Sequence, residues 1–387
     1  FSVPSPAVLG YYTRDLYLKA IADSSKVINV VYKEIPKDTD KAIINEKLSD
    51  IVCWGDSITA GAGGNQVGIA KEYGIDLVAL GSSVAGSGYT KVLENLIASK
   101  VCGEINVINC GVGGETSATI AARADTESYY LYLEAETTVS DAPIVIPLMQ
   151  TYTTDRIGIL RQGGSNTLNP VTIIGKDSQG NEVTVTGNIS LALSSKAPAG
   201  TDIYTCDYSL LVYTFTRTDG NTASVTFESG TKVITSSSYL YDGNTCIIFM
   251  GENGGYSDIN ELIKQQEQIL KACDNPKNYL IVSTHSGNMS SRKELEDALT
   301  ARWGKNYINM GTELNTRKAH ELAGFSEAAI VSVQQSIIDG AKSNLLVHDR
   351  VHPNAVGYAV IGNIMFERLF ELGAFDAIFD YYDSLNA

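Results

Sequence analysis

The chain has 387 residues, 44% apolar and 19% charged, with 29 basic and 44 acidic side chains that leave a net charge of −15. That length suits one large domain plus a smaller one, and the apolar share is enough for a buried core. The acidity argues against a phosphate backbone as partner, and no apolar run approaches the ~20 residues that span a bilayer.

In chain order, the pattern predicts a helix over about 9–22, a β-like stretch at 26–35 and a polar connection to residue 50. From Ile51 onward, short apolar runs alternate with amphipathic ones. Strands are expected at 51–54, 105–109, 246–250, 279–284 and 307–310, and helices at 116–124, 259–273, 292–301 and 354–372. This alternation predicts an α/β domain with a parallel sheet covered on both faces, whose chemistry gathers at the carboxyl ends of the strands. Residues 140–245 break the pattern. They carry no helical periodicity, are rich in Thr, and are punctuated by turn sequences at 177–181, 218–221 and 228–231, each flanked by alternating runs. An all-β module inserted into the α/β domain is expected there.

Twenty-one Tyr stand against nine Phe and two Trp. Tyr suits wet binding surfaces such as sugar sites and is equally at home in plain β-structure. The six Cys (53, 102, 110, 206, 246, 273) are scattered, several within apolar runs. Buried free thiols, and folding in a reducing cytosol, are expected over a disulfide framework. A start at Phe1 with no signal-peptide pattern reads as a mature product or a fragment, and export stays open.

Four short blocks carry candidate chemistry. Gly55-Asp56-Ser57-Ile58-Thr59 follows the first apolar strand and holds a Ser at the sheet edge. Gly111-Val112-Gly113-Gly114-Glu115-Thr116 follows the second and leaves backbone N–H groups able to face a ligand. Gly251-Glu252-Asn253 follows the third and can present a side-chain amide to a developing oxyanion. Asp349-Arg350-Val351-His352-Pro353 opens the last helix and offers a base with an orienting carboxylate. Taken singly, the Ser block is as readily a turn, the glycines and the Asn are better read as turn formers, and the His loop keeps an ordinary surface reading.

Together, in this order, the blocks resemble the SGNH (GDSL-like) hydrolase family over about 51–124 and 246–372. The resemblance implies a flavodoxin-like three-layer α/β/α domain, split as 51–139 and 246–387. The 1–50 extension and a β-rich insertion at 140–245, a carbohydrate-binding candidate, fall outside it. It implies a serine esterase with Ser57 as nucleophile, His352 as general base and acid, and Asp349 as its orienter. The oxyanion hole would be the Ser57 and Gly114 N–H groups with the Asn253 amide, Gly113 being the less favoured donor. No metal or organic cofactor is implied. The family's third block often continues Asn-Asp, whereas Gly254 follows Asn253 here.

The expected substrate is a short acyl group, foremost O-acetyl, on a carbohydrate or polysaccharide. The layout resembles accessory-module acetylesterases and SGNH domains of phage tail spikes, which implies an extracellular or virion-associated setting and room for assembly with like chains. Lipid acyl esters, or a catalytically silent sugar-binding protein, are the alternatives. The residues also offer two rival sites: an elbow at Gly81-Ser82-Ser83-Val84-Ala85, and metal ligation by His348, Asp349 and His352.

Overall fold

The structure, a computed structural model, describes residues 2–4, 11–14, 17–19, 30–34, 49–103, 105–124, 129–131, 133, 135–140, 142–146, 169–203, 206, 208–236, 238, 245–283 and 289–387. Five described strands form a parallel sheet: β1 (Ile51–Gly55), β2 (Val107–Gly111), β3 (Thr245–Phe249), β4 (Tyr279–Ser283) and β5 (Tyr307–Asn309). Their spatial order is β2-β1-β3-β4-β5. In register, Trp54 lies between Cys110 of β2 and Ile248 of β3. Every residue of β1 and β3 is buried, as an apolar run covered on both faces requires.

The helices that cover the sheet are, in chain order, α1 (Ser57–Ala60), α2 (Tyr89–Lys100), α3 (Ser117–Ala124), α4 (Ile259–Ala272), α5 (Met289–Trp303), α6 (Ala355–Glu371) and α7 (Asp376–Leu385). Successive strand residues point to opposite faces. Ile51, Cys53, Ile247 and Phe249 join a core with α2, α6 and α7. Val52, Trp54, Cys246 and Ile248 join another with α3, α4 and α5. No helix among the described residues is long and apolar enough to cross a membrane.

Seven described strands between α3 and β3 form a mostly separate antiparallel sheet with its own apolar core, including Val139, Ile173, Val185, Phe215 and Phe227. Its first described strand precedes residue 140: Thr137–Val139 pairs with Val225–Phe227, and the Leu131 N–H donates to the Thr231 carbonyl at 2.8 Å. The segment before 140 is too short to show a period of two, so only its pairing reveals it. One of the three turns closes a hairpin. Asp177 caps it by accepting the Gln179 and Asn181 N–H groups, and Val171–Lys176 pairs with Glu182–Leu193 across it. The turns at 218–221 and 228–231 lead instead to strands that pair elsewhere, Val225–Phe227 with Thr137–Val139 and Val233–Ile234 with Val171–Lys176. Turn chemistry reverses the chain, but the open sheet edge chooses the partner.

The helix expected over 9–22 is absent from its described part, which holds strands Tyr11–Tyr12 and Tyr17–Lys19 paired with Lys33–Glu34 and Ser2–Pro4. Tyr is a β-former, and cross-strand pairing overrode a helical spacing that had no cap. Residues 26–29 and 35–48 lie outside the described residues. Arg14 Nε donates to Asp383 of α7 at 2.7 Å, and Asn386 Nδ2, just past that helix, donates to the Glu34 carbonyl. The second strand runs Val107–Gly111, two residues later than expected, because Gly111 continues the ladder opposite Gly55. None of the six cysteines is in a disulfide. Four are buried as expected, whereas Cys102 and Cys206 are half-buried.

Candidate active site

Three of the four blocks sit at the carboxyl ends of β2, β1 and β3, which are neighbours in the sheet. Ser57 is the first residue of α1, directly after β1. Asp56 caps that helix, with Oδ1 accepting the Ile58 N–H at 2.9 Å. The turn is close-packed: a Cβ on Gly55 would stand 2.1 Å from Thr59 Oγ1, and one on Gly111 2.1 Å from the Ala60 nitrogen. Thr59 Oγ1 also lies 3.0 Å from the buried Tyr89 hydroxyl. Glycines are required here by space, and they fix where the serine stands.

The fourth block arrives from the far end of the chain. His352 Nε2 is 2.8 Å from Ser57 Oγ, and His352 Nδ1 is 2.9 Å from Asp349 Oδ2. Asp349 Oδ1 accepts the N–H groups of Val351 and His352 at 2.7 and 2.6 Å. Partial burial opposes ionisation of Asp349. The bonds from the His352 ring and from the two N–H groups outweigh it, holding the carboxyl well below the usual range. The loop is seated by Gly63, whose φ is +86°. A Cβ there would meet the Pro353 carbonyl oxygen at 2.5 Å and the His348 and His352 β-carbons at 3.4 and 3.5 Å.

The Asn253 amide, expected as an oxyanion donor, is already engaged within the protein. Asn253 Nδ2 donates to Asp56 Oδ2 at 3.2 Å and to the Glu115 carbonyl at 3.0 Å. Both amide hydrogens thus have protein acceptors, and an incoming oxyanion must take one of them. Gly114 is left-handed (φ +73°). Gly113, less favoured from sequence, is the exposed glycine whose missing side chain would lie 4.0 Å from Ser57 Cβ.

Beneath these loops is an arrangement that had no sequence signal. Glu115 and Arg123, both fully buried, pair at 2.7 Å; Arg123 also donates to the Cys110 carbonyl and lies over the Trp54 ring. The loops after β2 and β3 are tied by Ser117, whose N–H and Oγ both donate to the Gly254 carbonyl at 2.9 Å. Asp56, almost wholly buried, has its pKa pushed up to about 7. Burial is the main cause, opposed by the Ile58 N–H and reinforced by Glu252 and Glu115, while the nearby His352 lowers it.

The rival sites are not assembled. Residues 75–80 form turns rather than a strand, Ser82 is buried, and the Ser83 hydroxyl donates to the Gly86 carbonyl. Among the described residues no group of His, Cys, Asp and Glu is placed to hold a metal ion. His285 lies outside the described residues. Comparison with protein-family models, with curated proteins and with solved structures finds no match to this chain.

Proposed function

We propose that the chain is a serine esterase of the SGNH (GDSL-like) type, acting through an acyl-enzyme. One observation carries the reading: Ser57 Oγ, His352 and Asp349 form a continuous hydrogen-bonded line of 2.8 and 2.9 Å, assembled from residues 295 positions apart. The strand order β2-β1-β3-β4-β5, with helices on both faces, supports the flavodoxin-like three-layer arrangement that goes with that family.

In this mechanism His352 Nε2 takes the Ser57 proton as Oγ attacks the ester carbonyl, and Asp349 steadies the imidazolium. The oxyanion is met by the Ser57 and Gly114 N–H groups and by the Asn253 amide, which turns one hydrogen from its protein acceptor; a donor of this kind is worth about 2.7–4 kcal/mol of barrier. His352 then protonates the leaving alcohol. Water, activated by the same ring, attacks the acyl-Ser57 carbonyl and releases the acid. These steps need no metal or organic cofactor.

The proposed substrate is a short acyl ester, foremost O-acetyl, on a carbohydrate, because Gly63, Gly113 and Asn253 leave the surroundings of Ser57 small and polar. The antiparallel sheet is proposed to bind the carbohydrate carrier, in a setting such as a tail spike. A second reading, a lipid acylhydrolase, is favoured by Val84, 80% exposed and two residues before Gly86, which with Gly88 approaches Gly61 and Gly64 closely. Hydrolysis of p-nitrophenyl acetate, butyrate and octanoate decides between them. Turnover greatest on acetate and lost in Ser57→Ala is expected; a peak at octanoate selects the lipid reading, and equal turnover in the variant removes Ser57 as nucleophile.

A further inference from the structure

We propose that Lys342 is a positioning residue for His352: its ammonium, bound between the Glu252 carboxylate and the Val351 carbonyl, fixes the His352 loop against the loop that carries Asn253. Lys342 Nζ lies 3.2 Å from Glu252 Oε1 and 3.4 Å from the Val351 oxygen. The pair is shielded, with side chains 11% and 6% exposed. The inference rests on the esterase reading only for its catalytic consequence.

The Val351 carbonyl belongs to the same peptide unit as the His352 N–H, and Asp349 Oδ1 accepts that N–H. The peptide carrying the base is therefore gripped on both edges, by Lys342 on one and by Asp349 on the other. Glu252, the other anchor, immediately precedes Asn253, whose amide reaches Asp56 and the Glu115 carbonyl. One cation thereby sets the spacing between base and oxyanion donor.

A lysine stem has much rotamer freedom to lose, and here its backbone is already fixed. The Ala341 N–H donates to the Ser336 carbonyl, the Ser343 N–H to Asn315 Oδ1, and the Gly340 carbonyl accepts both terminal nitrogens of Arg292. A shielded ion pair contributes little to stability beyond what an apolar pair would. Its directionality is what it adds, and a displacement of about 1 Å at a catalytic group lowers turnover on the order of 10²-fold.

The test uses the full chain with 15N-labelled histidine, of which there are four, in wild type, Lys342→Met, Lys342→Arg and Glu252→Gln. The His352 ring signals are identified by their loss in His352→Gln. Lys342→Met and Glu252→Gln are expected to displace those signals and to lower kcat on p-nitrophenyl acetate on the order of 10²-fold with little change in KM. Lys342→Arg, which keeps the cation, is expected to restore both. Glu252→Gln, close in volume, serves if the Met variant does not fold. His352 signals that superimpose on wild type in Lys342→Met or Glu252→Gln overturn the positioning role, whatever the turnover. Displaced signals in a chain whose wild type shows no Ser57-dependent turnover overturn the esterase reading and leave the positioning role standing.

Discussion

Two aspartates of this site, Asp56 next to Ser57 and Asp349 at the end of the hydrogen-bonded line, titrate in opposite directions, and their pH signatures should oppose each other. Asp349 is held below the usual carboxylate range, so its charge stabilises the fold above the unfolded value near 4 and that contribution fades as pH falls through the lower folded value. Asp56 is pushed up to about 7, so the stability linked to it is present below about 4 and lost as pH rises to about 7. Urea midpoints measured from pH 3 to 8 are therefore expected to show wild type losing ground to Asp56→Asn as pH rises, and losing its margin over Asp349→Asn as pH falls. Because the Asp349 carboxyl is 47% exposed, its share is the more strongly screened. In turnover, Asp349→Asn is expected to lower kcat by about 10⁴, the size seen when an orienting carboxylate of this kind is neutralised. At this scale the sequence was informative for Ser57, Asp349 and His352, because the chemistry restricts residue type and order. It was silent on Lys342 and Arg123, whose roles depend on distant partners.

At the scale of elements, tight glycine contacts hold the Ser57 turn and the His352 loop in place. Gly63 combines a left-handed φ with a carbonyl oxygen where its Cβ would be, so Gly63→Ala is expected to destabilise the fold by about 1–3 kcal/mol and to lower turnover with it. Thermal unfolding and steady-state kinetics on one preparation check both effects. Strands β1, β3, β4 and β5 and helices α4 and α6 were legible to within a residue or two, since apolar runs between turn signals and amphipathic stretches are local properties. The N-terminal strands, the sheet's beginning before 140 and the pairing beyond two of its turns were not, because each is decided by a partner remote in sequence.

For the whole molecule, α3 is the joint between the two sheets. Ala122 belongs to the core of the antiparallel sheet while Ile120 packs on the parallel one. Tyr129 donates to the Thr119 carbonyl, and Thr235 donates to the Arg123 carbonyl at 2.7 Å. The buried Arg123–Glu115 pair lies at this joint, so Arg123→Met strands a buried carboxylate and is expected to destabilise by about 3–5 kcal/mol; adding Glu115→Gln should recover part of it. Denaturant midpoints of the single and double variants measure this. The antiparallel character of this stretch was legible in its composition, but its attachment was not, since nothing in residues 119–124 marks them as touching a second core.

The 295 residues between Ser57 and His352 also have a consequence for biosynthesis. At about 5–20 residues per second, a ribosome needs roughly 15–60 s to go from one to the other. Throughout that interval Ser57 is already made while its hydrogen-bond partner His352 does not yet exist, so the nascent chain cannot assemble the site. On the esterase reading, activity cannot begin before residue 352 has been added, and a chain stalled earlier is expected to be inert toward esters.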